Sequence, residues 1–405
     1  MTDNASLLEL AREVAYPNYR PAPFVLTRGR GCRVEDVDGR SYLDLSGGIA
    51  VLSVGHCHPK LAAAIAEQAA RLMHVSNLFY NDRAIELAAE ITRRTPFDRV
   101  FFANSGSEAN EAMLKLARHH HFGRGDKQRV ELVGTLQSFH GRTLGSLSLT
   151  GQTKYHEGME PLLGGVKLVP YGDLDAMREV VGDKTAAVLV EPLQAEGGLV
   201  VPPKGYLEGL RELTRERGAL LLFDEVQTGY GRTGTFLAQE QYGVVPDACS
   251  LAKGIGGGFP LGAMAVTEKL AGALPPGTHA STFGGNPLAC AAGLAVLRIF
   301  DDEGLVEHAA RAGEHLGASL RDLAERHESV IEARGRGLLR GLLLADDVDA
   351  MATLVALRER GLLITLAGGR VLRISPPLNV TREELDEGLA LVDTVLADPP
   401  RKAAS

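Results

Sequence analysis

Five short apolar runs, at 99–103, 129–134, 186–190, 219–223 and 248–252, mostly separated by helical sequence, constrain this chain more than any other feature. Runs that are short and continuously apolar suit strands buried on both faces, and strands that alternate with helices build a parallel sheet covered on each side. A chain of 405 residues also exceeds the roughly 250 to 300 at which one core stops growing, so a second domain is expected. Its place is marked where the pattern changes. Residues 1–50 hold a short amphipathic helix (6–14), a proline-broken segment to Pro23, and strand-like alternation over 32–45 with a turn at Asp38-Gly39. Helices are expected at 59–73 and at 82–94, the latter with apolar positions Ile85, Ala88, Ala89 and Ile91. After Pro287 helical sequence over 288–326 leads into strands at 330–333 and 338–344, a helix at 349–360 and strands at 362–366 and 371–374. Thr381 and Glu384 then form a capping box for a helix ending at Leu396, and the tail from Pro399 reads as loose. The expected division is an N-terminal segment 1–50 that joins the small domain, a large α/β domain 51–287, and a small α+β domain 288–405.

Two of the buried runs deliver polar residues to the sheet edge where ligands of open α/β folds gather. The run 219–223 stops at Asp224; the run 248–252 stops at Lys253 and enters the turn Gly254, Gly256, Gly257, Gly258. Singly, an aspartate there is a turn or cap, and a lysine is a solvated surface residue. Together, with glycines that let backbone approach a ligand, they meet the needs of a pyridoxal 5'-phosphate site: an amine to bind the aldehyde covalently and an acid for the ring nitrogen.

Other stretches add to that pair. Ser105, Gly106, Ser107 and Glu108 form a small-residue turn into a helix, whose free N–H groups can hold a phosphate or simply be capped. Phe139 and Arg142 in FHGR can stack on a ring and fork a carboxylate, or be a packed phenylalanine and a surface arginine. Glu191 closes the strand 186–190, and Asn286 can cap a helix starting at Pro287. Gly229, Gly231 and Gly234 satisfy the dinucleotide pattern GxGxxG, but they do not follow a strand end directly, so a loop is the better reading.

The segments LLLFDEVQTGYGRTG, PDACSLAKGIGGGFPLGAM, NSGSEANEAMLKLAR, FHGR, EPLQAEGG, STFGGNPLACA and VLRISPP, in this order of roles if not of sequence, resemble the class III (ω-) aminotransferases. Those are fold type I pyridoxal-phosphate enzymes. The resemblance implies a phosphate cup at Gly106 and Ser107, a ring-stacking Phe139, cofactor contacts from Asp224, Gln227 and Lys253, and a carboxylate-binding Arg142. It also implies that Glu196 pairs with Arg373 as a gate, masking it while an ω-amine reacts, and that Thr282 reaches across a homodimer interface to the partner's phosphate. Within the family, VSNLFYN and STFGGNPLACA look most like members acting on N-acetylornithine, which implies δ-amino transfer to 2-oxoglutarate in arginine biosynthesis. Donors such as ornithine, succinyldiaminopimelate, 4-aminobutyrate or a carrier-linked lysine would share almost every residue named, and an aminomutase or decarboxylase would share the cofactor.

Charge and cysteine usage fit this picture. A net charge of −8 gives no electrostatic reason for nucleic acid or anionic membrane as partner. Cys32, Cys57, Cys249 and Cys290 are far apart, without CxxC spacing, as expected in a reducing cytoplasm. The amino terminus lacks a basic-then-apolar signal pattern, and no apolar run approaches membrane length. His119, His120 and His121 lie on different helix faces and suit a helix carboxyl end better than a metal, and His56 and His58 lack a third ligand at a plausible spacing.

Overall fold

The computed structural model describes residues 3–403, and its centre is a seven-stranded sheet. The strand order is Arg99–Ala103, Gly262–Val266, Ala248–Leu251, Leu220–Asp224, Thr185–Val190, Glu131–Thr135 and Val166–Val169. Every residue of the three middle strands is buried, because each packs helices on both faces. At about 1.5–3 kcal/mol for each fully buried Val, Leu or Phe, that centre is the stiffest platform in the chain. Parallel pairing then brings three carboxyl ends to one edge. Val190 lies opposite Phe223, and Asp224 opposite Ser250, so Glu191, Asp224 and the turn after Leu251 emerge side by side.

Two strands of this sheet were not legible as runs. Val166–Val169 is short and half-buried at the sheet's rim. Gly262–Val266 runs antiparallel to both neighbours, a direction that helix and strand alternation does not announce. Its Gly262 is needed for close approach, since a Cβ there would come 2.4 Å from the Ser105 carbonyl oxygen.

Residues before 50 and after 287 interleave. Leu26–Arg30, Arg33–Asp36 and Ser41–Asp44 form an antiparallel ribbon, and Leu362–Leu363 pairs in parallel with Ser41–Asp44. A separate antiparallel sheet contains Val330–Arg336, Leu339–Leu344, Val371–Ile374 and Thr365–Ala367. The single strand expected over 362–366 thus breaks and serves two sheets. The helical stretch 288–326 also breaks, at Gly304, whose φ of 58° is left-handed and ends Pro287–Glu303 before Leu305–Arg326 begins. Asn286 caps the first of these by accepting from Ala289 N at 2.8 Å, and Thr381 with Glu384 closes the capping box of Arg382–Leu396.

Three expectations need correction. In the helix Asp82–Arg94 the buried residues are Leu87 and Ile91, while Ile85 and Ala89 face out. The 3–4 spacing from Ala84 through Leu87 to Ile91 is the stripe that meets the core. The tail is not loose: Asp349 N donates to the Pro400 carbonyl at 2.9 Å and Lys402 N to that of Asp347 at 2.8 Å. Residues 404 and 405 lie outside the described residues. His120 and His121 do not charge the end of the helix Gly106–Gly123. His119 donates from Nδ1 to the Ala273 carbonyl (2.7 Å) and His121 from Nε2 to that of Ala186 (3.0 Å), while burial pushes His120 down to about 4 and lowers His121. Both are neutral at neutral pH, so they act through hydrogen bonds and packing.

Among the described residues no helix is long and apolar enough to cross a membrane, and no group of three His, Cys, Asp or Glu could hold a metal. His56 instead meets Asp44 at 2.8 Å, and His58 meets Glu303 at 3.1 Å.

Candidate active site

At the shared edge of the sheet lies a cavity of about 500 Å³ lined by, among others, Gly106, Ser107, Phe139, Arg142, Asp224, Gln227 and Lys253. Seven residues singled out from the sequence therefore converge on one space. They arrive on several different elements, and the local reasons differ.

Asp224 is the last residue of its strand and is 4% exposed. Its Oδ2 accepts from Asn110 Nδ2 and His140 Nδ1, both at 2.8 Å, and its Oδ1 from Val226 N at 3.0 Å. Burial alone would raise its pKa, but His140, then the Val226 N–H and Asn110, outweigh burial and hold it below the usual carboxylate range. A buried, ionised carboxylate with this many donors is a fixed negative charge. Asn110 and His140 are functional residues that the sequence reading passed over, although both sit inside motifs it quoted. Each also keeps a buried polar atom without a partner, Asn110 Oδ1 and His140 Nε2.

Lys253 follows the neighbouring strand and holds a φ of 49°. That left-handed backbone costs a non-glycine residue about 1–2 kcal/mol, and it persists because Gly257 and Gly258 complete the turn at φ of 58° and 118°. A Cβ at Gly257 would strike Val296 and Leu61 at 2.8 and 2.9 Å, so the loop packs too closely for any side chain. Burial pushes the Lys253 amine down to about 8; Glu196 pulls it upward and Arg373 downward. Only the neutral amine is a nucleophile, and its fraction rises tenfold per pH unit below the pKa. In ligand-free protein, reductive labelling of Lys253 by a small aldehyde should therefore climb about tenfold per unit up to about pH 8 and then level off. Exposed lysines should keep climbing toward about 10.4. Mass spectrometry of labelled peptides across pH checks this, and a Lys253 profile matching the surface lysines would contradict it.

Ser105 accepts from Glu108 N at 3.2 Å, and Glu108 turns back to Asn104 N at 2.6 Å, which fixes the start of the helix Gly106–Gly123. The first-turn N–H groups of Gly106 and Ser107 have no intrahelical acceptor and line the cavity, at the positive end of an 18-residue helix. A Cβ at Gly106 would meet Val226 at 2.8 Å, so the cradle needs glycine there. Phe139 and Val226 supply apolar walls. Arg142 stacks its guanidinium 3.7 Å above the Tyr155 ring, which leaves the edge of its N–H fork available. An amine nucleophile, a fixed anion, a helix start and a flat apolar slot together fit a phosphorylated aromatic aldehyde.

Glu196 and Arg373 are in contact, 177 positions apart in sequence. Arg373 is 1% exposed, and it also donates to Thr365 Oγ1 (2.9 Å) and to Gln227 Oε1 (3.0 Å), while Gln227 donates to Glu196 at 3.2 Å. Gln227 thus joins the ion pair to the cavity wall. Burial would raise the Glu196 pKa, but Arg373 and Lys253 reverse that and lower it. Neither Glu196 nor Arg373 lines the cavity itself, nor does Thr282, which lines a neighbouring cleft of about 360 Å³ with Asn104, Glu108 and Ser281. The glycines 229, 231 and 234 form a succession of turns followed only by the short 3-10 helix Ala238–Tyr242, in keeping with a loop.

The family model Aminotransferase class-III matches residues 14–396. The acetylornithine aminotransferase of Methanothermobacter thermautotrophicus is 45% identical over 98% of this chain and all of its own length. That of Myxococcus xanthus is 49% identical, covering 94% of this chain and 95% of itself. The solved ornithine aminotransferase of Toxoplasma gondii, which carries pyridoxal phosphate at partial occupancy in its active site, superposes with a TM-score of 0.94 at 34% identity, over 98% of this chain and 94% of that one.

Proposed function

The chain belongs to the class-III aminotransferase family, and on that premise we propose that it moves the δ-amino group of N-acetylornithine to 2-oxoglutarate, a step of arginine biosynthesis. It is a pyridoxal-phosphate-dependent enzyme. The observation that carries the chemistry is the neutralisable amine of Lys253 and the ionised carboxylate of Asp224 in one buried cavity. Identity near half over the whole length of relatives named for that donor favours N-acetylornithine over the other ω-amines.

Lys253 would hold the cofactor covalently through Nζ, and the N–H groups of Gly106 and Ser107, which line the same cavity, would take its phosphate. When bound, pyridoxal phosphate supplies a sink for the electrons left when the donor's amine-bearing carbon gives up a proton. Lys253 Nζ, whose burial pushes its pKa down to about 8, would take that proton in its neutral form and return it. Asp224 keeps a positive charge stable at the ring nitrogen, and Asn110 with His140 keeps Asp224 aimed there. Arg142 receives the donor's carboxylate. Arg373 takes the α-carboxylate of glutamate or 2-oxoglutarate, and Glu196 covers it while acetylornithine reacts. Because Thr365 and Gln227 also hold Arg373, its guanidinium stays in place when Glu196 leaves.

A homodimer with shared sites belongs to the same reading. Asn77 donates to the carbonyls of Ser281 and Gly284 (2.9 and 3.1 Å), so the 76–80 and 281–285 segments lie together and leave Phe79, Phe283 and a 96% exposed Tyr80 in the open. A second copy seated there would cover this apolar surface and bring Thr282 to the partner's phosphate. The division into 1–50 joining the small domain, 51–287 and 288–405 is supported by the pairing of Leu362–Leu363 with Ser41–Asp44. A cytoplasmic location is in keeping with four free cysteines.

The gate gives the test. Glu196→Ala leaves Arg373 permanently open, so glutamate should gain on acetylornithine as donor by about ten- to hundredfold, the worth of a charge-assisted bond of roughly 1.5–3 kcal/mol. Arg373→Ala should cripple the glutamate half-reaction and spare the other. Following each half-reaction by cofactor absorbance, with a screen of ω-amine donors, decides both points. Equal losses in both halves would leave the pair a structural role only, and a better donor than acetylornithine would replace the substrate.

A further inference from the structure

Glu191 ends the strand Thr185–Val190, lines the cavity and is 4% exposed, yet none of the steps above uses it. Its side chain is spent on backbone: Oε1 accepts from Phe139 N at 3.0 Å and Oε2 from Ala195 N at 3.1 Å. Those two amides belong to different loops. One carries Phe139 and His140 over the cavity; the other carries Glu196 to Arg373. The Tyr171 hydroxyl donates to the Glu191 carbonyl at 2.9 Å and holds the strand end itself. Two N–H donors facing two oxygens are fully satisfied only by a carboxylate, because an amide must turn its NH₂ toward one of them.

We propose, building on the function above, that Glu191 is a positioning residue that sets amine-donor preference by tying the Phe139 loop and the Glu196 loop to the same strand end. Loss of either bond frees one loop relative to the other and weakens the cover that Glu196 places on Arg373. The charged or titratable groups around Glu191 are His140 and Asp224, with Lys253 and the Tyr171 hydroxyl close by. Burial pushes the Glu191 carboxyl up to about 7, against a lowering pull from His140, and Asp224 adds to the rise. The sign follows. Above about pH 7 the carboxylate accepts both N–H groups; below it, one oxygen carries a proton and one loop loses its bond.

The measured quantity is the ratio of half-reaction rates with glutamate and with acetylornithine at subsaturating donor. Lys253 and Asp224 serve both halves and cancel in the ratio, and both donors' amines titrate well above this window. In the wild type the ratio should rise about fivefold as pH falls from about 8 to about 6, the worth of one hydrogen bond. Glu191→Gln should show the raised ratio at every pH in that range. Amide hydrogen exchange in the 137–141 or the 193–197 segment should also be faster in the variant, with or without cofactor. A wild-type ratio that is flat with pH, or a variant that reproduces the wild-type profile and exchange, overturns the proposal; if the variant does not fold, the wild-type profile alone decides. A wild type that does not react with acetylornithine at any pH would instead overturn the substrate assignment.

Discussion

Lys253→Ala is expected to abolish covalent retention of pyridoxal phosphate and to lower turnover by about ten-thousandfold or more. One atom, Nζ, both anchors the cofactor and moves the proton, so no neighbouring group can share the loss. The charged groups that act on it most strongly are Glu196, Arg373, Asp224 and Glu191. Glu196 and Asp224 are held below the usual carboxylate range, a guanidinium is no base at all, and both oxygens of Glu191 are occupied by the backbone N–H groups of Phe139 and Ala195, so none of them replaces the amine. Borohydride treatment followed by intact-mass measurement should add the cofactor's mass to the wild type and nothing to the variant. Turnover within tenfold of wild type would remove Lys253 from the chemistry.

Asp224→Ala should separate anchoring from activation. Covalent retention survives, because Lys253 is untouched, but proton removal from the donor should slow by about a hundred- to thousandfold, the usual loss when a preorganised electrostatic partner is deleted. Stability should fall as well. His140 Nδ1 would be left without its acceptor in a dry site, at about 1–3 kcal/mol, while Asn110 Nδ2 would lose one of its two acceptors and keep the His140 carbonyl. Asp224→Asn preserves the shape and removes the charge, so it should show the kinetic loss with a smaller fall in Tm. Rapid-mixing absorbance with acetylornithine measures the step, and an unchanged rate in both variants would take Asp224 away from the ring nitrogen.

Much of this site was legible because its residues are local in sequence to the elements that carry them. A fully apolar run stopping at Asp224 specifies a buried strand, and parallel packing of such strands leaves no other edge for the carboxylate. Lys253 before a run of glycines reads as a turn where backbone can approach a ligand, and Lys253, Gly257 and Gly258 line the turn with positive φ. Asn286 before Pro287, and Thr381 three residues before Glu384, are caps whose chemistry is complete within four residues. Single glycines were harder to weigh. Gly304 divides one apparent helix in two because a left-handed residue reverses the chain, whereas Gly293 lies inside a helix where a Cβ would meet Leu87 at 2.8 Å.

The sequence by itself determined the kind of sheet, the edge at which ligands gather, and the two residues, Asp224 and Lys253, that emerge there. Hydrophobic period, turn chemistry and caps act over a few residues, and they can be read without knowing what lies across the fold. Only the tertiary structure decided which partners those residues meet. Asn110 and His140 closing on Asp224, Arg373 meeting Glu196 and Gln227, and Glu191 bonded to Phe139 all join segments tens to hundreds of residues apart. It likewise decided that Gly262–Val266 runs antiparallel, that 362–367 serves two sheets, and that burial lowers the pKa of His120 and His121. Hydrogen-bond partners, strand direction and desolvation are set by distance and burial in three dimensions, and no local pattern of residue types encodes them.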